Sequence, residues 1–238
     1  MIRRGLILLL AATGWSWAAL PEDRGAVGLW QQLKSLQKDV RVLYLVAHPD
    51  DEDAGTLTML ARGYGADVTL VSLTRGESGA NLITGDFFDR LGALRTLEHV
   101  QAAEHYGVNL RYTRFTDFGY SKSVDETFRQ WPREEILGDV VRLVRELKPH
   151  IIISRWQGTT RDGHGHHHAA GLLARDAFAA AADPARFPQS GMKPWQALKL
   201  YCGNWRKEDA GVLAVDSGVF DPVLGRSYAE IGRGPVRP

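Results

Sequence analysis

The sequence predicts an α/β domain, a Rossmann-like, mostly parallel sheet with helices on both faces. Three observations carry that prediction. Short runs rich in β-branched and aromatic residues alternate along the chain with runs whose apolar residues recur at helical spacing. The first such run, Arg41-Val42-Leu43-Tyr44-Leu45-Val46-Ala47, is nearly all apolar and reads as a buried strand. With 238 residues, 44% of them hydrophobic, the chain is long enough for one domain with a full core and too short for two large ones.

The elements follow in order. The first 18 residues carry Arg3-Arg4, an apolar stretch Leu6 to Ala12 and the small-x-small signal Ser16-Trp17-Ala18, so residues 1–18 are expected to be a signal peptide, cut near Ala19. The apolar stretch is shorter than the roughly 18 residues that suggest a membrane span, so no stable membrane insertion is expected after its removal. The mature chain is expected to be exported, periplasmic or extracellular. Residues 19–39 form a linker and helix: Pro21 to Gly25 is polar, and Val27, Leu29, Trp30, Leu33 and Leu36 share one face of a helix over Ala26 to Lys38.

The main domain is expected over residues 40–205. After the strand at Arg41, further strands are predicted at Asp67 to Leu73, Leu110 to Phe115, His150 to Ser154 and Ala197 to Tyr201, with another short one at Val212 to Val215. Helices are predicted between them at Ala54 to Arg62, Leu91 to Tyr106, Arg133 to Leu147 and His168 to Ala182, with Gly107 and Pro149 as stops. Residues 206–238 are read as a C-terminal extension, poor in helical signal and expected to be truncated, whose Gly232-Arg233-Gly234-Pro235 end should fray. Cys202 is the only cysteine, so no internal disulfide can form, and it reads as a small buried hydrophobe.

With a formal charge of +1 and no basic run, the chain lacks the electrostatic footprint of a nucleic-acid binder. Its informative charges lie elsewhere. His48-Pro49-Asp50-Asp51-Glu52-Asp53 follows the first strand directly, at the carboxyl end where open α/β sheets bind ligands. Crowded carboxylates repel one another, and holding them at a strand end asks for a counter-charge. Arg161-Asp162-Gly163-His164-Gly165-His166-His167-His168 offers neutral nitrogen ligands to the same ion. Imidazole and carboxylate form a normal ligand set for a catalytic zinc, so the two patches read as halves of one metal site. A nucleotide-binding Rossmann domain fits poorly, because no G-x-G-x-x-G follows the first strand and the carboxylates would repel a pyrophosphate.

From Ala47-His48-Pro49-Asp50-Asp51-Glu52 to Gly163-His164-Gly165-His166-His167, the chain resembles the PIG-L/LmbE-like family of zinc-dependent de-N-acetylases, over about Val40 to Ala182. Thr74-Arg75-Gly76-Glu77-Ser78-Gly79 is similar to its T-x-G-E-x-G loop, Arg95 and Glu98 to its R-x-x-E helix, and Asp117-Phe118-Gly119-Tyr120 to its acidic loop. The chain also resembles exported bacterial members, in which such a domain can begin a longer chain. The resemblance implies that His48, Asp51 and His167 bind zinc, or another divalent metal such as Fe2+. It makes Asp50 the general base, His164 the imidazole that steadies or protonates the reacting centre, and Arg95 and Asp117 contacts to sugar hydroxyls.

The implied reaction removes an N-acetyl or similar acyl group from an amino sugar such as N-acetylglucosamine or its glycoconjugate, so the expected partner is a small molecule or glycan. An amidase on another small conjugate, and a non-catalytic carbohydrate-binding domain of the same fold, are the alternatives. By residue type alone the histidine run leaves its register open, and the family's spacing selects His167 over His166. Asp53 reads as a helix N-cap and Glu52 as a support of the loop. Arg95 and Glu98 lie one helix turn apart and equally suit an ion pair. His99, His105 and His150 read as helix-surface or strand-edge residues. Relatives often carry an aromatic two residues before the first histidine of the second motif, where this chain has Asp162, a change expected to alter the pocket's polarity.

Overall fold

The structure, a computed structural model, describes residues 23–203 and 211–234. The expected signal peptide lies outside the described residues. Helix α1 (Gly25–Leu36) leads into β1 (Arg41–Val46), followed by α2 (Ala54–Thr58) with a π-helical turn at Met59–Gly63, β2 (Asp67–Ser72), α3 (Asp89–Tyr106) and β3 (Asn109–Tyr112). Then come α4 (Val124–Gln130), α5 (Arg133–Leu147), β4 (Ile151–Ser154), α6 (Gly165–Ala180) and β5 (Lys199–Cys202). A two-stranded hairpin of β6 (Phe220–Asp221) and β7 (Arg226–Ser227) and a last helix, α7 (Tyr228–Gly232), close the described chain. Among the described residues no helix is long and apolar enough to cross a membrane.

The five-stranded sheet runs β3-β2-β1-β4-β5, every pair parallel, which is the predicted class. Side chains of a strand alternate between faces, and β1 divides its residues accordingly. Leu43 and Leu45 join a core with Val71, Ile136, Val140, Ile152 and Leu173, whereas Val42, Tyr44 and Val46 join Leu57, Val68, Leu70 and Tyr106 on the other side. The strand order reverses between β1 and β4, whose register pairs Leu45 with Ser154. A crevice outside the carboxyl ends of such neighbours is the usual ligand position in open α/β sheets. It sets the loop after β1 beside the segment after β4, so two motifs more than a hundred residues apart open onto one place.

Four parts of the chain differ clearly from the sequence prediction. Helix α6 starts at Gly165 rather than His168, because the His164 side chain caps it: its Nδ1 accepts from the His166 amide at 3.0 Å. Helix α4 was not predicted; Val124 and Phe128 alone give it little apolar periodicity, and it is set by its cap, Ser123 Oγ accepting from Glu126 N at 3.2 Å. No strand forms at 212–215, and the segment from Gly232 does not fray from its start. Ser227 and Glu230 build a reciprocal cap that starts α7, Ile231 is fully buried, and His105 Nε2 meets the Ile231 carbonyl.

Helix α7 lies directly on α2. A Cβ added at Gly232 would sit 2.7 Å from the carbonyl carbon and oxygen of Ala54, the first residue of the helix that leaves the acidic loop. Gly232→Ala is therefore expected to force the two backbones apart and destabilise the chain by about 1–3 kcal/mol, as overpacking does. For a chain of this size that lowers Tm by about 2–10 °C. Thermal denaturation checks it, and an unchanged Tm removes α7 from the support of α2.

Candidate metal centre

The four carboxylates of the acidic loop do not share one counter-charge. Each has its own partner. Asp53 caps α2, Oδ1 accepting from Thr56 N at 2.8 Å, as its position suggests. Glu52 turns back on the loop, where Oε2 accepts from Asp50 N at 3.0 Å and Oε1 from the Tyr106 hydroxyl at 3.4 Å. Asp50 Oδ2 meets Arg95 Nη2 at 2.6 Å, and the same guanidinium nitrogen donates to the Pro49 carbonyl at 2.9 Å. Arg95 thus pairs with Asp50 rather than with Glu98. Asp50 has φ 134°, a region that L side chains rarely adopt, and the Glu52 and Arg95 bonds hold that strain on both sides.

Asp51 turns inward. Its Oδ2 accepts from the amides of Ala47 (3.1 Å) and His48 (2.8 Å), the first residues past β1, and from Trp156 Nε1 (3.3 Å), just past β4. Burial by itself would raise the Asp51 carboxyl, but its contacts with His167 and His48 outweigh that and hold it far below the usual carboxylate range. Oδ1 faces His167 Nε2 at 3.3 Å, and Oδ2 lies 3.3 Å from His48 Nδ1. Burial opposes a charge on His48, yet the hydrogen bond to Asp51 carries its pKa upward.

The tautomer of His167 follows from its other nitrogen. Nδ1 lies 3.2 Å from the carbonyl of Asp162, which can only accept, so Nδ1 carries the proton in the neutral ring and the Nε2 lone pair points at Asp51 Oδ1. Two acceptors facing each other at that distance require a cation or a proton between them. Ligands about 2.0–2.1 Å from a tetrahedral ion lie about 3.3 Å apart, so the spacing fits a zinc-sized ion. Potential donors of His48, Asp51 and His167 all lie within 4.8 Å of one another, and so do those of a second trio, His48, His164 and His166.

Gly165 decides where these rings stand. A Cβ there would lie 2.3 Å from Ser121 Oγ, 2.4 Å from Ser123 O and 2.5 Å from Thr127 Oγ1, so only glycine lets α6 begin against the 121–127 segment. The first turn of α6 then presents His164 and His167 to the crevice and drives His166 into the core, where it is fully buried. Burial, with His48, His164 and His167 as neighbours, pushes His166 down to about 2. Burial and the imidazoles of His48 and His167 also take His164 down to about 4. With Nδ1 accepting the His166 amide, a neutral His164 carries its proton on Nε2.

A cavity of about 490 Å³ is lined by His48, Asp50, Asp51, Arg95, Asp117, Tyr120, His164 and His167, with the Ser78–Ala80 backbone at its wall. All seven residues singled out from the sequence therefore meet in one place. Asp117 is 3% exposed, its amide donating to Glu77 Oε2 at 3.0 Å and its Oδ1 accepting from Gly119 N at 2.8 Å.

Of the supporting residues, Trp156 carried no sequence signal, Glu77 and Tyr120 lay inside the family motifs with no role assigned, and Asp162 has a role other than the expected one. Trp156 stacks on His167 with centroids 3.7 Å apart and planes 8° off parallel, while its indole holds Asp51. Glu77 ties the 74–79 loop to Asp117, and Tyr120 packs edge-on to His164 at 4.9 Å. Asp162 does not line the cavity. It is buried, its carboxylate accepting from the amides of Gln157, Gly158 and Thr159 at 2.8–3.1 Å, and its carbonyl fixes His167, so its effect falls on ligand orientation rather than pocket polarity. His99, expected at the surface, is 3% exposed, with Nδ1 2.9 Å from the Tyr112 hydroxyl.

The family described as PIG-L, GlcNAc-PI de-N-acetylase, matches residues 43–178. A 1D-myo-inositol 2-acetamido-2-deoxy-alpha-D-glucopyranoside deacetylase of Thermobispora bispora is 34% identical over 180 residues, 68% of this chain and 58% of that protein. The Streptomyces scabiei protein of the same name is 33% identical over 215 residues, 83% of this chain and 64% of its own length. The chain thus spans about six tenths of the length of these curated relatives.

Among solved structures, N,N'-diacetylchitobiose deacetylase from Pyrococcus horikoshii superposes with a TM-score of 0.53 at 20% identity, covering 73% of this chain and 67% of that one. The 4-carboxy-2-hydroxymuconate hydratase GalB of Pseudomonas putida gives the same TM-score and identity over 68% of this chain and 65% of its own. These two likenesses concern the fold alone. The family match, the relatives at a third identity and the ordered motifs together place this chain in the PIG-L family.

Proposed function

We propose that the chain is a metal-dependent amide hydrolase that removes an acetyl group from an amino sugar or its glycoconjugate, with zinc held by His48, Asp51 and His167. The observation that carries the reading is the opposition of His167 Nε2 and Asp51 Oδ1 at 3.3 Å, beside Asp50 and His164 in one cavity. Shared fold is not the argument, since a hydratase has it too. The names of the relatives, deacetylases of a 2-acetamido sugar, support the substrate class. So do the charged and hydroxyl groups that line the cavity, which suit a hydroxyl-rich ligand better than an apolar amide.

A bound zinc ion supplies Lewis acidity, polarising the amide carbonyl and acidifying a water. Asp50, its side chain 65% exposed, would act as the base that takes the proton from the attacking water and returns it to the departing amine. Arg95 holds the Asp50 carboxylate in place. His164 donates its Nε2 proton in a hydrogen bond to the acetyl carbonyl oxygen, where the negative charge develops. The products are acetate and a free amine. Arg95 and Asp117, which line the cavity, are the proposed contacts to sugar hydroxyls. Export is part of the same proposal, resting on Arg3-Arg4, the leucine core and Ser16-Trp17-Ala18.

Three measurements test these readings. One divalent ion per chain is expected, lost in His48→Ala and His167→Ala and kept in His166→Ala at saturating metal. If His166→Ala loses the ion and His167→Ala keeps it, the second trio is the ligand set. Asp50→Asn is expected to keep its metal and lose about a hundred- to ten-thousand-fold in acetate release from a panel of N-acetylated sugars. Near-normal turnover with full metal would remove Asp50 from the mechanism, and a wild-type chain that releases acetate from none of the panel would overturn the deacetylase reading. N-terminal sequencing of protein recovered outside the cytoplasm is expected to begin near Ala19, and an intact Met1 on membranes would indicate an anchor instead.

A further inference from the structure

We propose that His166 is a positioning residue for the metal centre: it accepts the Nε2 proton of His48 at its own Nδ1 and thereby commits the His48 Nδ1 lone pair to the cation. The inference rests on the ligand set proposed above. Its geometry is direct. His48 Nε2 and His166 Nδ1 are 2.9 Å apart, while His48 Nδ1 lies 3.3 Å from Asp51 Oδ2 on the other side of the ring. A neutral imidazole has one protonated nitrogen and one lone pair, so the partner at Nε2 decides what Nδ1 can do. If His166 donated, His48 would carry its proton on Nδ1, towards Asp51, and could not ligate.

The protein holds the His166 ring rather than letting it turn to the ion. It is 0% exposed, packed 4.4 Å from Phe118 edge to face and 4.2 Å from Trp131, centroid to centroid. Trp131 is itself fixed by a bond from its indole nitrogen to the Thr116 carbonyl at 2.9 Å. Among the described residues His166 Nε2 is buried without a hydrogen-bond partner, so it can keep the proton that leaves Nδ1 free to accept. The nearest carboxylate oxygen to Nδ1, on Asp117, stands 3.7 Å away, beyond hydrogen-bond length.

Metal-ligating histidines usually donate the second ring proton to a carboxylate, a carbonyl or water. Here a neutral imidazole takes it, and the partner adds no negative charge to the site. His48 is thereby oriented without a further buried anion beside Asp50, Asp51 and Asp117. The all-imidazole trio of His48, His164 and His166 is on this reading a by-product of the relay and not a second seat for the ion.

The test compares His166→Asn, whose amide oxygen can stand where Nδ1 stands, with His166→Leu, which fills the space and accepts nothing. Zinc affinity is read by competition with a chromophoric chelator, and the thermal stability of each metal-free chain is read separately. His166→Leu is expected to bind zinc about 10- to 100-fold more weakly, the usual effect of losing such a partner, with His166→Asn recovering most of it. Equal affinities for both variants, whether weakened or not, would overturn the inference, as a purely packing role predicts no split between them. His167→Leu, measured alongside, should not bind; if it binds normally, the ligand set itself is wrong and the failure lies there and not with His166.

Discussion

The centre depends on one carboxylate folded back over the end of a strand. Asp51 Oδ2 takes the two amides that β1 leaves unpaired at its end, on Ala47 and His48, and the indole of Trp156 from beyond β4. With that oxygen occupied, Oδ1 is left to face an imidazole lone pair. The arrangement is costly without a positive charge in the gap, since two acceptors and a buried anion repel. It is also held from several sides, because the partners of Asp51 are amides directly past β1, an indole directly past β4 and the imidazole that stacks on that indole. A site that is electrostatically incomplete yet mechanically fixed is what preorganised metal binding requires.

The remaining architecture serves to keep the strand end and the first turn of α6 in register. Adjacent parallel strands β1 and β4 place the two loops side by side, and the topological reversal between them opens the crevice. Helix α7 presses on the start of α2, where the acidic loop ends, and Gly165 lets α6 approach the 121–127 segment closely enough to aim His164 and His167 outward. Asp162 contributes twice, its carboxylate knitting the 157–159 amides and its carbonyl fixing the ring of His167. Removing either contact would leave the ligands present in number and wrong in direction.

The sheet was legible because its central strands are largely apolar runs, and Asp67 to Leu73 and His150 to Ser154 differ from the observed β2 and β4 by a residue at an end. The candidate trio stood out because histidine and aspartate at strand ends have few structural uses, and the fold brings its donors within 4.8 Å of one another. What could not be read was orientation. Nothing in the residue order shows that Arg95 clasps Asp50 rather than pairing with Glu98, or that Asp162 faces loop amides instead of the cavity. Trp156 and Glu77 act through geometry that only the tertiary fold creates. Short elements set by caps rather than periodicity, α4 and α7, were invisible for the same reason: Ser123 and Ser227 start them, and a capping serine in sequence looks like any loop serine.

The histidine run shows why identity and role separate. His164, His166 and His167 are the same side chain within four positions, yet burial and hydrogen bonding give each a different task. His164 accepts a backbone amide and turns a protonated nitrogen to the cavity. His167 donates to a carbonyl and turns a lone pair to Asp51. His166, sealed between Phe118 and Trp131, is fully buried, and its Nδ1 lies within hydrogen-bond distance of His48 Nε2. A helix advances about 100° per residue, so consecutive positions on its first turn necessarily face different surroundings. The helix start at Gly165, and not the histidine count, therefore determines which imidazole can hold a metal ion, which can face a substrate and which can only orient its neighbour.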